Sequence, residues 1–132
     1  MPIEIVWDND EHNTLRYDVS GKWTWEELFK ARDEVYAHMN GVAHDRVDAI
    51  INFNGGFNVP SGALNQIQQL REDPHAKAGL TVMVGANGFM RTMFGTFTKV
   101  YNSTTGHTVD FLYAKTLEEA RELIAADRQR SM

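Results

Sequence analysis

The chain contains no cysteine. That single absence removes disulfides, thiolate nucleophiles and cysteine-held metal centres together, and it fits a reducing compartment. No apolar run approaches the ~18 residues that a membrane-spanning helix requires. The N-terminus begins with Pro2 and Glu4 rather than a basic stretch ahead of an apolar block, so neither a secretory leader nor a membrane span is expected. Cytoplasmic residence is the expectation. Basic charge is also scarce: 13 Lys and Arg face 18 Asp and Glu, for a net charge of −5 and a pI near 5.5. This is the wrong sign for a phosphate-backbone binder, which leaves proteins and small ligands as partners and excludes nucleic acid. At 132 residues the chain reads as one domain over 1–132, able to bury roughly two-thirds of its unfolded surface without staples.

Several catalytic signatures are missing as well. A metal centre calls for His, Asp or Glu at short helical spacing. The five histidines, His12, His38, His44, His75 and His107, instead fall on turns and helix ends, with a helix stop between His38 and His44. No metal and no cofactor are expected. A dinucleotide fold needs G-x-G-x-x-G after its first strand, where this chain has Asn9-Asp10. The P-loop pattern is absent. A phosphoacceptor receiver would place an aspartate at the end of its central strand, and Asn52 and Asn54 stand there. No Ser-His-acid set follows from spacing, so no catalytic residue is assigned and a non-enzymatic role is expected.

What is present is a strand-and-helix alternation. Ile3 to Asp8 and Thr14 to Val19 alternate apolar and polar residues across a polar turn, which predicts an antiparallel hairpin. Thr24-Trp25-Glu26-Glu27 is a capping box, with Trp23 and Leu28 placed as a hydrophobic staple. Trp25, Leu28, Phe29, Val35, Tyr36 and Met39 follow at helical spacing, interrupted only by Arg32, up to a stop at Asn40-Gly41. Val47 to Phe53 predicts a central strand, reached by a crossover that implies a parallel neighbour. A helix from Ser61 past Leu64, Ile67 and Leu70 closes at Asp73-Pro74. Leu80 to Val84 predicts a strand covered on both faces. A helix from Phe89 to about Tyr101 carries Gly95 in its middle, which predicts a close approach there by another element. A strand within His107 to Tyr113 and a helix capped by Thr116 complete the chain, with fraying expected over 127–132. The expected order is β-β-α-β-α-β-α-β-α, a single mixed, mostly parallel sheet with helices packed on it.

The stretch Ala49 to Leu64 concentrates the functional interest. Its strand runs into Asn54-Gly55-Gly56, Pro60 blocks an earlier helix start, and Ser61 reads as an N-cap. A hydroxyl is then expected just past the carboxyl edge of a central strand, where open α/β sheets place working groups. A serine there can also accept a phosphoryl group, because helix N-termini tolerate added negative charge.

Val47 to Phe53, Ser61-Gly62-Ala63-Leu64, and Leu80 to Val84 with Gly85-Ala86-Asn87 together resemble the STAS family. This is the domain of bacterial anti-sigma-factor antagonists and sulfate-transporter tails, and the likeness is to its SpoIIAA-like branch. In the antagonists a serine before a glycine at this helix start is phosphorylated by a partner kinase, and the unphosphorylated form binds that kinase. Ser61 is the matching position. Val59-Pro60 replace the family's usual aspartate and small polar residue, and the loop Asn54-Gly55-Gly56-Phe57 is longer and more apolar.

The resemblance implies a regulatory protein-interaction module with Ser61 as phosphoacceptor. Asn54, Phe57, Gly62 and Leu64 would contact a kinase or anti-sigma-type regulator, and a homodimer is an admissible assembly. An exposed Trp25 and Phe57 would favour such an interface. A second reading is a small-ligand binder, for an apolar, lipid-like or anionic molecule. It would use a pocket between the Ser61 and Phe89 helices, rimmed by Phe57, Asn87, Gly88, Arg91 and Phe94.

Overall fold

The structure is a computed structural model and describes residues 3–53, 77–85, 88–105 and 111–130. Five strands form one sheet in the order β1-β2-β3-β4-β5: β1 Ile3–Trp7, β2 Thr14–Val19, β3 Val47–Phe53, β4 Ala78–Val84 and β5 Phe111–Ala114. β1 pairs antiparallel with β2, and each later neighbour is parallel. Three helices are described: α1 Trp25–Asn40, α2 Gly88–Thr105 and α3 Leu117–Arg130. The hairpin, the parallel neighbour reached through α1 and the mixed α/β class agree with the sequence pattern. The helix expected from Ser61 lies outside the described residues. Among those residues, no helix is long and apolar enough to cross a membrane.

α1 starts as its sequence dictates. Thr24 Oγ1 accepts the Glu27 N–H at 3.1 Å, and the Glu27 carboxylate accepts the Thr24 N–H at 3.0 Å, closing the capping box. Trp25, Ala31, Val35 and Met39 are buried along one stripe. Arg32 fits that stripe because its guanidinium lies 5.4 Å from the Phe29 ring centroid and 5.9 Å from that of Tyr36, one turn to either side. At the other end the Gly41 N–H bonds the His38 carbonyl with φ at −87°, so the helix stops without a left-handed residue.

The alternation of strand side chains divides the core in two. Leu15, Tyr17, Val19, Val47, Ala49, Ile51, Phe53 and Met83 face α1. Ile50, Val82, Val84 and Ala114 pack instead with Ala120 and Ile124 of α3. The continuous apolar run of β3 thus reflects a strand covered on both sides. β4 starts two residues ahead of the expected Leu80, with Ala78 and Gly79 exposed, while Val82 to Val84 are buried. Burial drives the Tyr17 phenol well above its usual range, against a smaller opposing effect of Arg32.

Among the described residues, a Cβ built at the half-buried Gly95 would meet nothing within 4 Å, so no described element makes the close approach expected there. α3 runs to Arg130, past the Asp127 from which fraying is expected, because ion pairs described below tie its last turn to β3.

Candidate functional site

The strands β2 to β5 are parallel and end together at Val19, Phe53, Val84 and Ala114, forming one carboxyl edge. Phe53 lies against Trp23 with ring centroids 6.5 Å apart, and Trp23 meets Trp25 edge-on at 5.1 Å. The turn after β4 requires glycine. Gly85 has φ +79°, its N–H donates to the Ala114 carbonyl at 3.2 Å, and a Cβ would press on the Phe53 carbonyl at 3.1 Å. Trp23 is 4% exposed, and its indole Nε1 has no hydrogen-bond partner among the described residues.

Ser61, Asn54, Phe57, Gly62, Leu64 and Asn87 lie outside the described residues, as does the side chain of Phe94. Gly88 opens α2 and is exposed. Arg91, one turn in, sets its guanidinium 5.2 Å from the ring centroid of Tyr113, a neighbour not foreseen from sequence. Tyr113 completes a row across the sheet: Ile5, Tyr17, Ile51, Met83 and Tyr113 are successive register partners on the α1 face. Trp25 is 6% exposed, so it is a core residue rather than part of an open interface. The sheet runs in simple sequential order, so these five strands contain no reversal of direction to open the crevice that doubly wound sheets use.

Sequence reasoning missed two polar clusters on the α3 face. The first centres on Asp48, whose side chain is fully buried near the start of an apolar strand. Its Oδ1 accepts from Arg46 Nε at 2.8 Å and from the Leu80 N–H at 2.7 Å, while Oδ2 accepts from Arg128 Nε at 2.6 Å. Arg46 also reaches Asp127 at 2.7 Å, and Arg128 donates to the Asn13 carbonyl at 2.8 Å. The β3–β4 register slips between Val47 and Ala49, and Asp48 supplies an acceptor to Leu80 N–H within that irregularity. Gly79 is required beside it, because a Cβ there would run into the Asp48 carboxylate and the Arg46 guanidinium. Burial opposes the charge on Arg46, yet its bonds to Asp48 and Asp127 raise its pKa overall.

The second cluster joins Asp8, just past β1, to Arg16 of β2 and Arg121 of α3. Arg16 Nη1 and Arg121 Nη2 each lie 2.9 Å from Asp8 Oδ1, and Arg121 Nε reaches Oδ2 at 3.0 Å. Arg16 also forks onto Asp18, whose Oδ1 accepts from Asn52 Nδ2 at 3.2 Å. Burial of the 3%-exposed Asp8 side chain acts to raise its pKa, but the hydrogen bonds from Arg121 and Arg16 outweigh it and hold the carboxyl below its usual range. The only sequence signals were acids and arginines two apart on the strands, Arg46-x-Asp48 and Arg16-x-Asp18, which place both charges on one face. Among the described residues no group of three or more His, Asp or Glu is arranged to hold a metal ion.

The described part is thus an α/β domain with a five-stranded, mostly parallel sheet, an aromatic carboxyl edge and charge clusters tied by arginine. Comparisons with family models, with curated proteins and with solved structures each returned no match.

Asp48→Asn is expected to lower stability by about 2–3 kcal/mol in urea unfolding, leaving Arg46 and Arg128 without their shared counter-charge. That lies at the low end for a broken buried pair, because both arginines are about a quarter exposed (25% and 28%). Asp8 gives a pH test. Its folded pKa is lowered from 3.8, so its contribution is complete above the unfolded value and is lost as pH falls through the folded one. The stability advantage of wild type over Asp8→Asn should therefore be constant above roughly pH 5 and shrink steadily in more acid solution. Unfolding midpoints at a series of pH values read this directly.

Proposed function

We propose that the protein is a non-enzymatic, regulatory protein-interaction module resembling the anti-sigma-factor antagonists, with Ser61 as the phosphorylatable residue. The observation that carries this reading is the delivery of the chain by β3. This central strand ends at Phe53 on the carboxyl edge, and the sequence Asn54 to Leu64 follows directly from there. The buried carboxylates support it from the other side of the sheet. Asp8 and Asp48 are each bound by two arginines, an arrangement suited to holding a fold rather than moving a proton. The partner in this reading is a protein of the kinase or anti-sigma type, and the setting is the bacterial cytoplasm.

Ser61→Asp is expected to keep the wild-type circular dichroism spectrum, since a helix start accepts an acid. It should also abolish capture of the wild-type partner from native lysate. Equal capture by both proteins would remove Ser61 as a switch.

One observation favours the second reading, a small-ligand binder. The exposed Arg91 stands over Tyr113, at the end of the row that continues through Met83, Ile51 and Tyr17. A cation beside an aromatic ring suits an apolar molecule with an anionic end. Native mass spectrometry after gentle purification should then show a bound small molecule that is lost in Arg91→Ala. Bare protein in repeated preparations would count against this reading.

A further inference from the structure

Two histidines that are dispersed in sequence meet on one indole at the amino edge of the sheet, and a third bonds to the adjoining turn. The His12 ring lies flat on Trp7, with centroids 4.6 Å apart and planes inclined by 4°. His38, in the last turn of α1, meets the same indole at 5.6 Å and 68°. From the connection between α1 and β3, His44 Nε2–H donates to the Glu11 carbonyl at 2.7 Å. The β1–β2 turn, the end of α1 and the following connection are joined at this point.

His12 is also the one non-glycine residue with positive φ, +55°, among the described residues. A side chain in that region costs backbone energy that glycine would avoid. The turn holds it there. Asn9 and Asn13 bond side chain to side chain at 2.6 Å, the Asn13 N–H donates to Asn9 Oδ1 at 3.2 Å, and the His12 N–H donates to the Asn9 carbonyl at 3.3 Å. The ring itself is exposed and open to protons.

We infer that His12 is a proton-responsive latch that fastens the β1–β2 turn onto Trp7 and, through the His38 contact with the same ring, onto the end of α1. Histidine is the side chain whose charge changes between about pH 5 and 8. An imidazolium over the face of tryptophan is held more tightly than a neutral ring, by the attraction of a cation for the π-cloud.

The charged groups around the latch are accounted for. Asp8, next to Trp7, is engaged by Arg16 and Arg121. The Glu11 carboxylate accepts from Asn13 Nδ2 at 3.2 Å. Glu34 stands 3.9 Å from His38, so a charge on His38 is met by that carboxylate and by the helix C-terminus. Asp10 and Asp45 are exposed on the turn and on the connection.

The test is an NMR titration of the full chain from pH 8 to pH 5, following the His12 ring, the Trp7 indole and amide-exchange protection across residues 11–13. The Trp7 resonances should shift with the same midpoint as the His12 ring. Protection factors in the turn should rise roughly two- to fivefold on acidification, the gain expected for an exposed cation–π contact. In His12→Phe, which keeps a stacked ring without a titratable charge, the rise in turn protection should vanish; in His38→Gln it should remain. A Trp7 signal and turn protection that stay constant across the wild-type titration would overturn the latch, whether or not the variants fold. A protection step that survives in His12→Phe, or disappears in His38→Gln, would overturn its assignment to His12.

Discussion

Asp48 is the constraint around which the described fold is arranged. A carboxylate placed inside a central apolar strand is costly unless every lone pair is engaged and a counter-charge is near. Here the requirement is met by three parts of the chain at once. Arg46 comes from the entry to β3, Leu80 N–H from the irregular start of β4, and Arg128 from the last turn of α3. Each explains a local oddity: the slipped register, the glycine at 79 and the helix that persists to Arg130. The apolar contacts of Ala120 and Ile124 hold α3 against the sheet, and the ion pairs fix where along the sheet its end sits.

The amino edge is therefore the tied edge of the domain. Besides the Asp48 cluster it holds the Asp48 N–H on the Asn13 carbonyl, Lys77 on the Val42 carbonyl and His44 on the Glu11 carbonyl. At the carboxyl edge the described contacts include aromatic rings and a glycine turn. Side-chain bonding holds one end of the sheet, and hydrophobic packing with permissive backbone forms the other.

Much of the architecture was legible from residue order. Alternation gave the hairpin, the Thr24–Glu27 box gave the start of α1, and the apolar run of β3 gave a strand covered on both faces. Arg32 broke the α1 stripe on paper, but Phe29 and Tyr36 lie one turn away and accommodate it. Other features were not legible. The exposure of Trp25 that would have favoured an interface is not found, because Trp23, Phe29 and the core enclose it. Gly95 looked like a contact point, yet no described residue approaches it. The proposed switch around Ser61 remains a reading of the sequence, carried by its position after β3.

The sequence by itself determined the local elements, because period, capping and turn chemistry act between residues a few positions apart. It also determined the acidic, cysteine-free character that excludes whole classes of chemistry. Only the tertiary structure decided the sequential strand order, the pairing of Asp48 with an arginine 80 positions away and of Asp8 with one 113 away, and the meeting of His12 and His38 on Trp7. These contacts depend on which strands lie side by side and on which helix covers each face, and no periodicity within a short window encodes that.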